Sequence, residues 1–267
     1  MVEDAPVQNT GTEFADADVA RAYLNRTPYP DALYDRLAET APRRGRVLDL
    51  GCGPGKLTRG LADRFDAVVA IDPSEPMIAL GQALGGGARG DIVWVAAKAE
   101  DADFGGPLDL AVAGSSIHWM RFGTVFPKLA RALASDARLA LIEGDGPAAA
   151  PWREAYHAVI VDWIGKLGHV YNSPQLQARA GAQADWIDVT GRESFEATVR
   201  MTIEDLIDGE HSRATWTRAK MGPLAEAFDA DLRAVLEPHA ENGVVEFTTR
   251  TDLVWCRPRQ QPREAVA

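Results

Sequence analysis

The sequence predicts an α/β fold, a doubly wound and largely parallel sheet with an α-helical insertion, and three observations predict it. Short apolar runs alternate with helical patterns from residue 47 to residue 143. That alternation implies parallel strands with helices on both faces. The first run, Val47 to Leu50, opens into the turn Gly51-Cys52-Gly53-Pro54-Gly55 and then into a helix. Strand, glycine turn and helix start are how such folds build a small-molecule site. Finally, Asp49, Asp72 and Glu100 stand at or just beyond the C-terminal ends of successive strands. In an open parallel sheet those ends face the ligand.

Taken in order, residues 1–18 are polar and acidic and read as a flexible tail. A helical pattern with Val19, Tyr23 and Leu24 follows, and Pro28 and Pro30 interrupt it. A second helix is predicted over 31–40, with Leu33, Tyr34 and Leu37 at helical spacing. Strands are expected at 47–50, 67–72, 92–97, 108–113 and 138–143, with helices at 57–65, 77–84 and 125–133. Residues 19–144 thus form the core. An insertion over 145–240 begins with an amphipathic helix from Pro151 to Leu167, which Gly168 stops. Residues 169–193 read as irregular, Phe195 to Met201 as a sixth strand, and 223–236 as a helix. A final strand lies within 241–258, and 259–267 reads as a frayed tail.

The chain has 267 residues, 46% apolar and 25% charged, with a formal net charge of -11. So acidic a surface repels phosphate backbones and anionic lipid, so no nucleic-acid and no membrane partner is expected. No apolar run approaches the roughly 20 residues that span a bilayer. The acidic start lacks an apolar signal core, and the only cysteines are Cys52 and Cys256, so a reducing, cytoplasmic setting is expected. No His/Cys spacing suggests a metal.

Spacing narrows the ligand of the glycine turn. A dinucleotide fingerprint has its third glycine three places after the second, and here Lys56 occupies that place. Pro54 also removes a backbone N–H that a pyrophosphate would use. A nicotinamide-dependent oxidoreductase stays as the alternative, as does a protein that binds its cofactor without catalysis.

The run Val47-Leu48-Asp49-Leu50-Gly51-Cys52-Gly53-Pro54-Gly55 resembles the first motif of class I S-adenosylmethionine-dependent methyltransferases. The resemblance implies a Rossmann-like, seven-stranded sheet with an antiparallel last strand. It also implies S-adenosyl-L-methionine as cofactor. By the same resemblance Asp72 binds the ribose hydroxyls, while Pro73, Ser74 and Met77 border ribose and adenine. Ala99 and Glu100 line the adenine edge, and Gly114 and Ser115 border the methionine end. Arg26-Thr27-Pro28-Tyr29-Pro30 and the pair His118-Trp119 resemble segments of the trans-aconitate and Crg1-like small-molecule methyltransferases, with Thr27 where a proline is more usual.

These features imply methyl transfer by in-line displacement to a small-molecule acceptor, an oxygen of a carboxylate or hydroxyl. Arg26 is expected to meet the cofactor carboxylate or an anionic acceptor, because a guanidinium fork suits a carboxylate. His118 is the candidate catalytic residue, as base or as hydrogen-bond donor. Tyr29, Trp119, Trp186 and Trp216 are expected to line the acceptor pocket beneath the insertion.

Overall fold

The computed structural model describes residues 12–169 and 174–263. Its sheet grows outward from β1 (Arg46–Leu50). Val47 packs into one hydrophobic cluster and Leu48 and Leu50 into another, on opposite faces of the sheet. A strand buried on both faces needs a mostly apolar run, and β1 has one that only the buried Asp49 interrupts. Parallel to it lie β2 (Ala67–Asp72) and then β3 (Ile92–Ala96) on one side. On the other side lie β4 (Leu108–Gly114) and β5 (Leu133–Glu143). The order β3-β2-β1-β4-β5 changes direction between β1 and β4, so the crevice for a ligand opens where those two strands end. Around this sheet run α2 (Asp31–Thr40), α3 (Lys56–Ala62), α4 (Glu75–Ala83) and α5 (Phe122–Ala132).

The parallel sheet with antiparallel last strands agrees with the sequence reading, but it has eight strands where seven were expected. A short β6 (Pro147–Ala149) is added, and it pairs with β8 (Val244–Pro258). The expected sixth strand is longer: β7 (Ile187–Thr202) runs antiparallel to β8 along its length. Polar residues such as Asp188, Arg192 and Glu193 hide that length from an apolar pattern, because β8 holds the strand by its backbone ladder. Helix α7 (Pro174–Ala184) also lies in the stretch read as irregular. At the other end of the chain, Arg259 and Arg263 both bond Asp188, so the expected C-terminal tail is held through residue 263.

The insertion has its own core. Trp152, Tyr156 and Trp163, from the start and face of α6 (Arg153–Lys166), pack with Leu206 of α8 (Ile203–His211), Phe228 of α9 (Ala225–Leu236) and Phe247. Burying each large apolar side chain contributes about 1.5–3 kcal/mol. The expected N-terminal tail ends sooner than residue 18, since a turn at Thr12–Ala15 leads into α1 (Ala17–Ala22). Residues 1–11 and 264–267, also read as tails, lie outside the described residues. Val19 and Ala20 of α1 pack on Met77, and the Phe14 carbonyl accepts a bond of 2.6 Å from Ser74 Oγ.

Candidate cofactor and acceptor site

Gly51, Gly53 and Gly55 take φ values of +68°, +53° and +79°, a region that glycine enters without strain. A Cβ on Gly51 would lie 2.4 Å from Ser116 Cβ, and one on Gly55 would lie 2.4 Å from the Trp94 ring. At those two positions the bare backbone accommodates protein neighbours. At Gly53 a Cβ would only touch the Tyr23 ring, at 3.7 Å. Gly53 is therefore the glycine whose open side remains for a ligand.

Two carboxylates converge on this turn. Asp72 Oδ2 accepts from Gly53 N–H at 2.9 Å, and its Oδ1 accepts from Ser74 N–H at 2.8 Å. Each oxygen keeps a lone pair for another donor. Burial raises the Asp72 pKa, with the two backbone bonds opposing it. Asp49 is more extreme: burial pushes it up to about 7 against a bond from Thr58 Oγ1 to its Oδ2. Asp49 Oδ1 is buried and has no hydrogen-bond partner among the described residues.

The other crevice residues fall into place around β3 and β4. Pro73 is exposed, while Met77 is buried under α1. The Ala99 carbonyl accepts from Lys128 Nζ at 2.9 Å, and Glu100 Oε1 accepts from Arg121 N–H at 2.6 Å, which ties the turn after β3 to the start of α5. At the end of β4, a Cβ on Gly114 would come within 2.9 Å of Tyr29 Oη. Ser115 takes φ +48° and donates to Glu143 at 2.8 Å. His118 and Trp119 form the next short turn, Ile117–Trp119, where Phe14 meets Trp119 edge-on at 6.0 Å. Burial, aided by the Arg179 charge, lowers His118 to about 4. Arg179 of α7 donates to the carbonyls of His118 and Met120, so the insertion grips this turn.

Three expectations meet a different geometry. Trp186 stacks on Phe126, with ring planes 9° apart. Its neighbour Ile187 pairs with Pro258 of β8, toward the end of the sheet remote from the glycine turn. Trp216 stacks on Phe228 at 5.4 Å, inside the insertion's own core. Both rings are packing elements because their segments need apolar anchors. Arg26 does not hold its fork open: Nε donates to Ser212 Oγ at 2.7 Å, Nη2 donates to the Ser212 carbonyl at 3.0 Å, and Nη1 faces Asp145 at 3.5 Å. It pins the proline-fixed segment to the insertion.

That ion pair belongs to a buried group that sequence reasoning missed. Arg213 Nη2 meets Asp145 at 3.1 Å, and its Nε meets Glu210 at 3.0 Å. Burial alone would raise Asp145, yet Arg213, Arg26 and Lys56 hold it well below the usual carboxylate range. Asp145 could have been suspected as another acid just past a strand, after Glu143 of β5. Nothing in the sequence brings residues 210–213 to it.

Compared with known proteins, residues 47–136 match the family model described as a methyltransferase domain. An uncharacterized methyltransferase of Mycobacterium tuberculosis is 35% identical over 192 residues, 71% of this chain and 72% of that protein. The chain belongs to the S-adenosylmethionine-dependent methyltransferases. A trans-aconitate 2-methyltransferase of Streptomyces avermitilis is 28% identical to this methyltransferase, over 82% of this chain and 87% of that protein. A solved structure described as a type II methyltransferase, from Anaeromyxobacter dehalogenans, superposes with a TM-score of 0.64 at 26% identity, over 89% of this chain and 99% of that one.

S-adenosylmethionine is the cofactor of this methyltransferase, and the crevice residues fit it. The cofactor carries a ribose diol, which suits the spare lone pairs of Asp72, and an ammonium, which suits the unpartnered Asp49 oxygen. No helix among the described residues is long and apolar enough to cross a membrane.

Proposed function

We propose that this methyltransferase transfers a methyl group to an oxygen, of a carboxylate or hydroxyl, on a small molecule bound between the core and the insertion. The observation that carries this reading is the descent of Tyr29 Oη onto Gly114, at the end of β4 and beside the glycine turn that closes β1. Tyr29, His118 and Trp119 then stand on the acceptor side. Asp49, Gly53, Asp72 and Ser74 hold the cofactor at a turn that Gly51 and Gly55 shape, with Pro73, Met77, Ala99 and Glu100 on the adenine side and Gly114 and Ser115 on the methionine side. Arg26 contributes from behind, by fixing Tyr23 over the turn, 4.1 Å from its own guanidinium.

When bound, S-adenosylmethionine supplies a methyl carbon that its sulfonium already activates for in-line displacement. The protein's task is then alignment and exclusion of water. The insertion, 145–240, serves as the roof over the acceptor. His118 is neutral at neutral pH, and with its pKa lowered to about 4 it is too weak a base to take a phenol's proton efficiently. It therefore positions the acceptor by hydrogen bonding. A carboxylate acceptor needs no base, and the relative named trans-aconitate 2-methyltransferase supports that choice.

The test is calorimetric titration with S-adenosylhomocysteine and with NAD, followed by methyl transfer to a panel of small carboxylic acids, phenols and amines. Binding of S-adenosylhomocysteine with transfer to an oxygen acceptor is expected. Transfer confined to amines, or no transfer at all, would contradict the reading.

A further inference from the structure

Between the core and the insertion, three cations share one buried region with two carboxylates: Arg26, Lys56 and Arg213 with Asp145 and Glu210. The carboxylate oxygens are all taken. Asp145 Oδ1 meets Arg213 and Oδ2 meets Arg26, while its backbone carbonyl accepts from Thr27 Oγ1 at 2.8 Å. Glu210 Oε2 meets Arg213, and Oε1 accepts from Tyr156 Oη at 3.1 Å. Lys56 is the cation left over. Among the described residues no carboxylate makes an ion pair with its Nζ, which sits over the Tyr29 ring, 4.3 Å from the centroid.

A half-buried ammonium that faces a ring and pairs with no carboxylate is open to an anionic ligand, because a cation partly withdrawn from water gains from a counter-charge. Lys56 also stands where such an anion would matter. It directly follows the glycine turn, and the Tyr29 that it touches reaches Gly114 at the end of β4. We propose that Lys56, with Tyr29 beside it and the Arg26–Asp145–Arg213 group behind it, forms a carboxylate-binding site at the point where acceptor and cofactor meet. This rests on the methyl-transfer reading above and adds to it a recognition residue.

The electrostatics agree with that geometry. Burial lowers Lys56 to about 8, with Asp145 opposing the shift and Arg26 and Arg213 adding to it. A bound carboxylate would raise that pKa again. The surplus also explains why the aromatic cover is Tyr29, whose ring face attracts a cation without neutralising it.

A carboxylate could come from the acceptor or from the amino-acid end of the cofactor, and two probes separate these. The full chain and its Lys56→Met and Lys56→Arg variants are titrated with glutarate and dimethyl glutarate, in the presence of saturating S-adenosylhomocysteine. They are also titrated with S-adenosylhomocysteine and with 5'-methylthioadenosine, which lacks the amino-acid end. Glutarate binding that disappears with the neutral diester, weakens at least tenfold in Lys56→Met and persists in Lys56→Arg assigns the site to the acceptor. An equal loss for S-adenosylhomocysteine alone, with methylthioadenosine unchanged, assigns it to the cofactor. Lys56→Met matching the wild type on every probe overturns the site. Failure of the wild type to bind S-adenosylhomocysteine would instead overturn the methyl-transfer reading.

Discussion

The two ends of the crevice use opposite charge and opposite means of holding it. At the glycine turn the buried acids are carboxyl groups, held by backbone N–H groups and one hydroxyl: Gly53 and Ser74 on Asp72, Thr58 on one oxygen of Asp49. At the seam with the insertion the excess is cationic, and side chains hold it in place around Asp145. The turn is a local device, with its partners inside one stretch of the fold. The seam is a long-range device, drawn from residues 26, 56, 145 and 210–213. A cofactor common to many enzymes suits the first arrangement, and an acceptor particular to this one suits the second.

The seam breaks most severely. Asp145→Ala leaves Arg26 and Arg213 without the acid they share, beside the unpaired Lys56. A loss of about 3–5 kcal/mol is expected in urea denaturation. A loss within error would show that the seam is open to water and its charges are ordinary surface charges. Asp72→Ala should act on the other end, weakening S-adenosylhomocysteine binding tenfold or more, since hydrogen bonds to a charged group carry about 1.5–3 kcal/mol each. Calorimetry reads this directly, and unchanged affinity would remove Asp72 from the cofactor site.

Asp49 sharpens the contrast through pH. Its folded-state pKa is raised to about 7, so the fold binds its proton more tightly than the unfolded chain does. Its contribution to stability is fully present below about pH 4 and is lost as pH rises through about 7. Asp49→Asn should flatten that fall, which the difference between wild-type and variant denaturation curves measures from pH 4 to 8. The two slopes coinciding would mean that Asp49 is ionised throughout. The smallest effect is expected from His118→Ala, which should lower turnover while sparing S-adenosylhomocysteine binding. The wild-type turnover should show no acid limb near pH 6.5, because His118 titrates near 4. A limb there that the variant abolishes would restore His118 as a base.

The same contrast explains what was legible in the sequence. Val47 to Gly55 carries its strand, turn and helix start in consecutive residues, so both the elements and the cofactor could be read from spacing. Asp72 followed because strand ends in a parallel sheet share one side. The tryptophans misled because an aromatic in an insertion signals burial, and burial against Phe126 or Phe228 looks the same in sequence as burial against an acceptor. Arg26 was visible as a significant residue, but its partner Asp145 and the companion Arg213 depend on how α8 docks, which no local period encodes. Strand β7 was half seen for a related reason: β8 supplies its partner, and its own residues supply little apolar alternation.

The central claim is that acids at the glycine turn hold S-adenosylmethionine while the seam presents the acceptor oxygen to it. The most direct test is incubation of the wild-type protein with methyl-deuterated S-adenosylmethionine and a mixture of small carboxylic acids and amines, with mass spectrometry of the products and Asp72→Ala as the control. Deuterated methyl esters from the wild type, much reduced in the variant, are expected. Unmodified acids alongside labelled products of another class, or a variant as active as the wild type, would contradict the account.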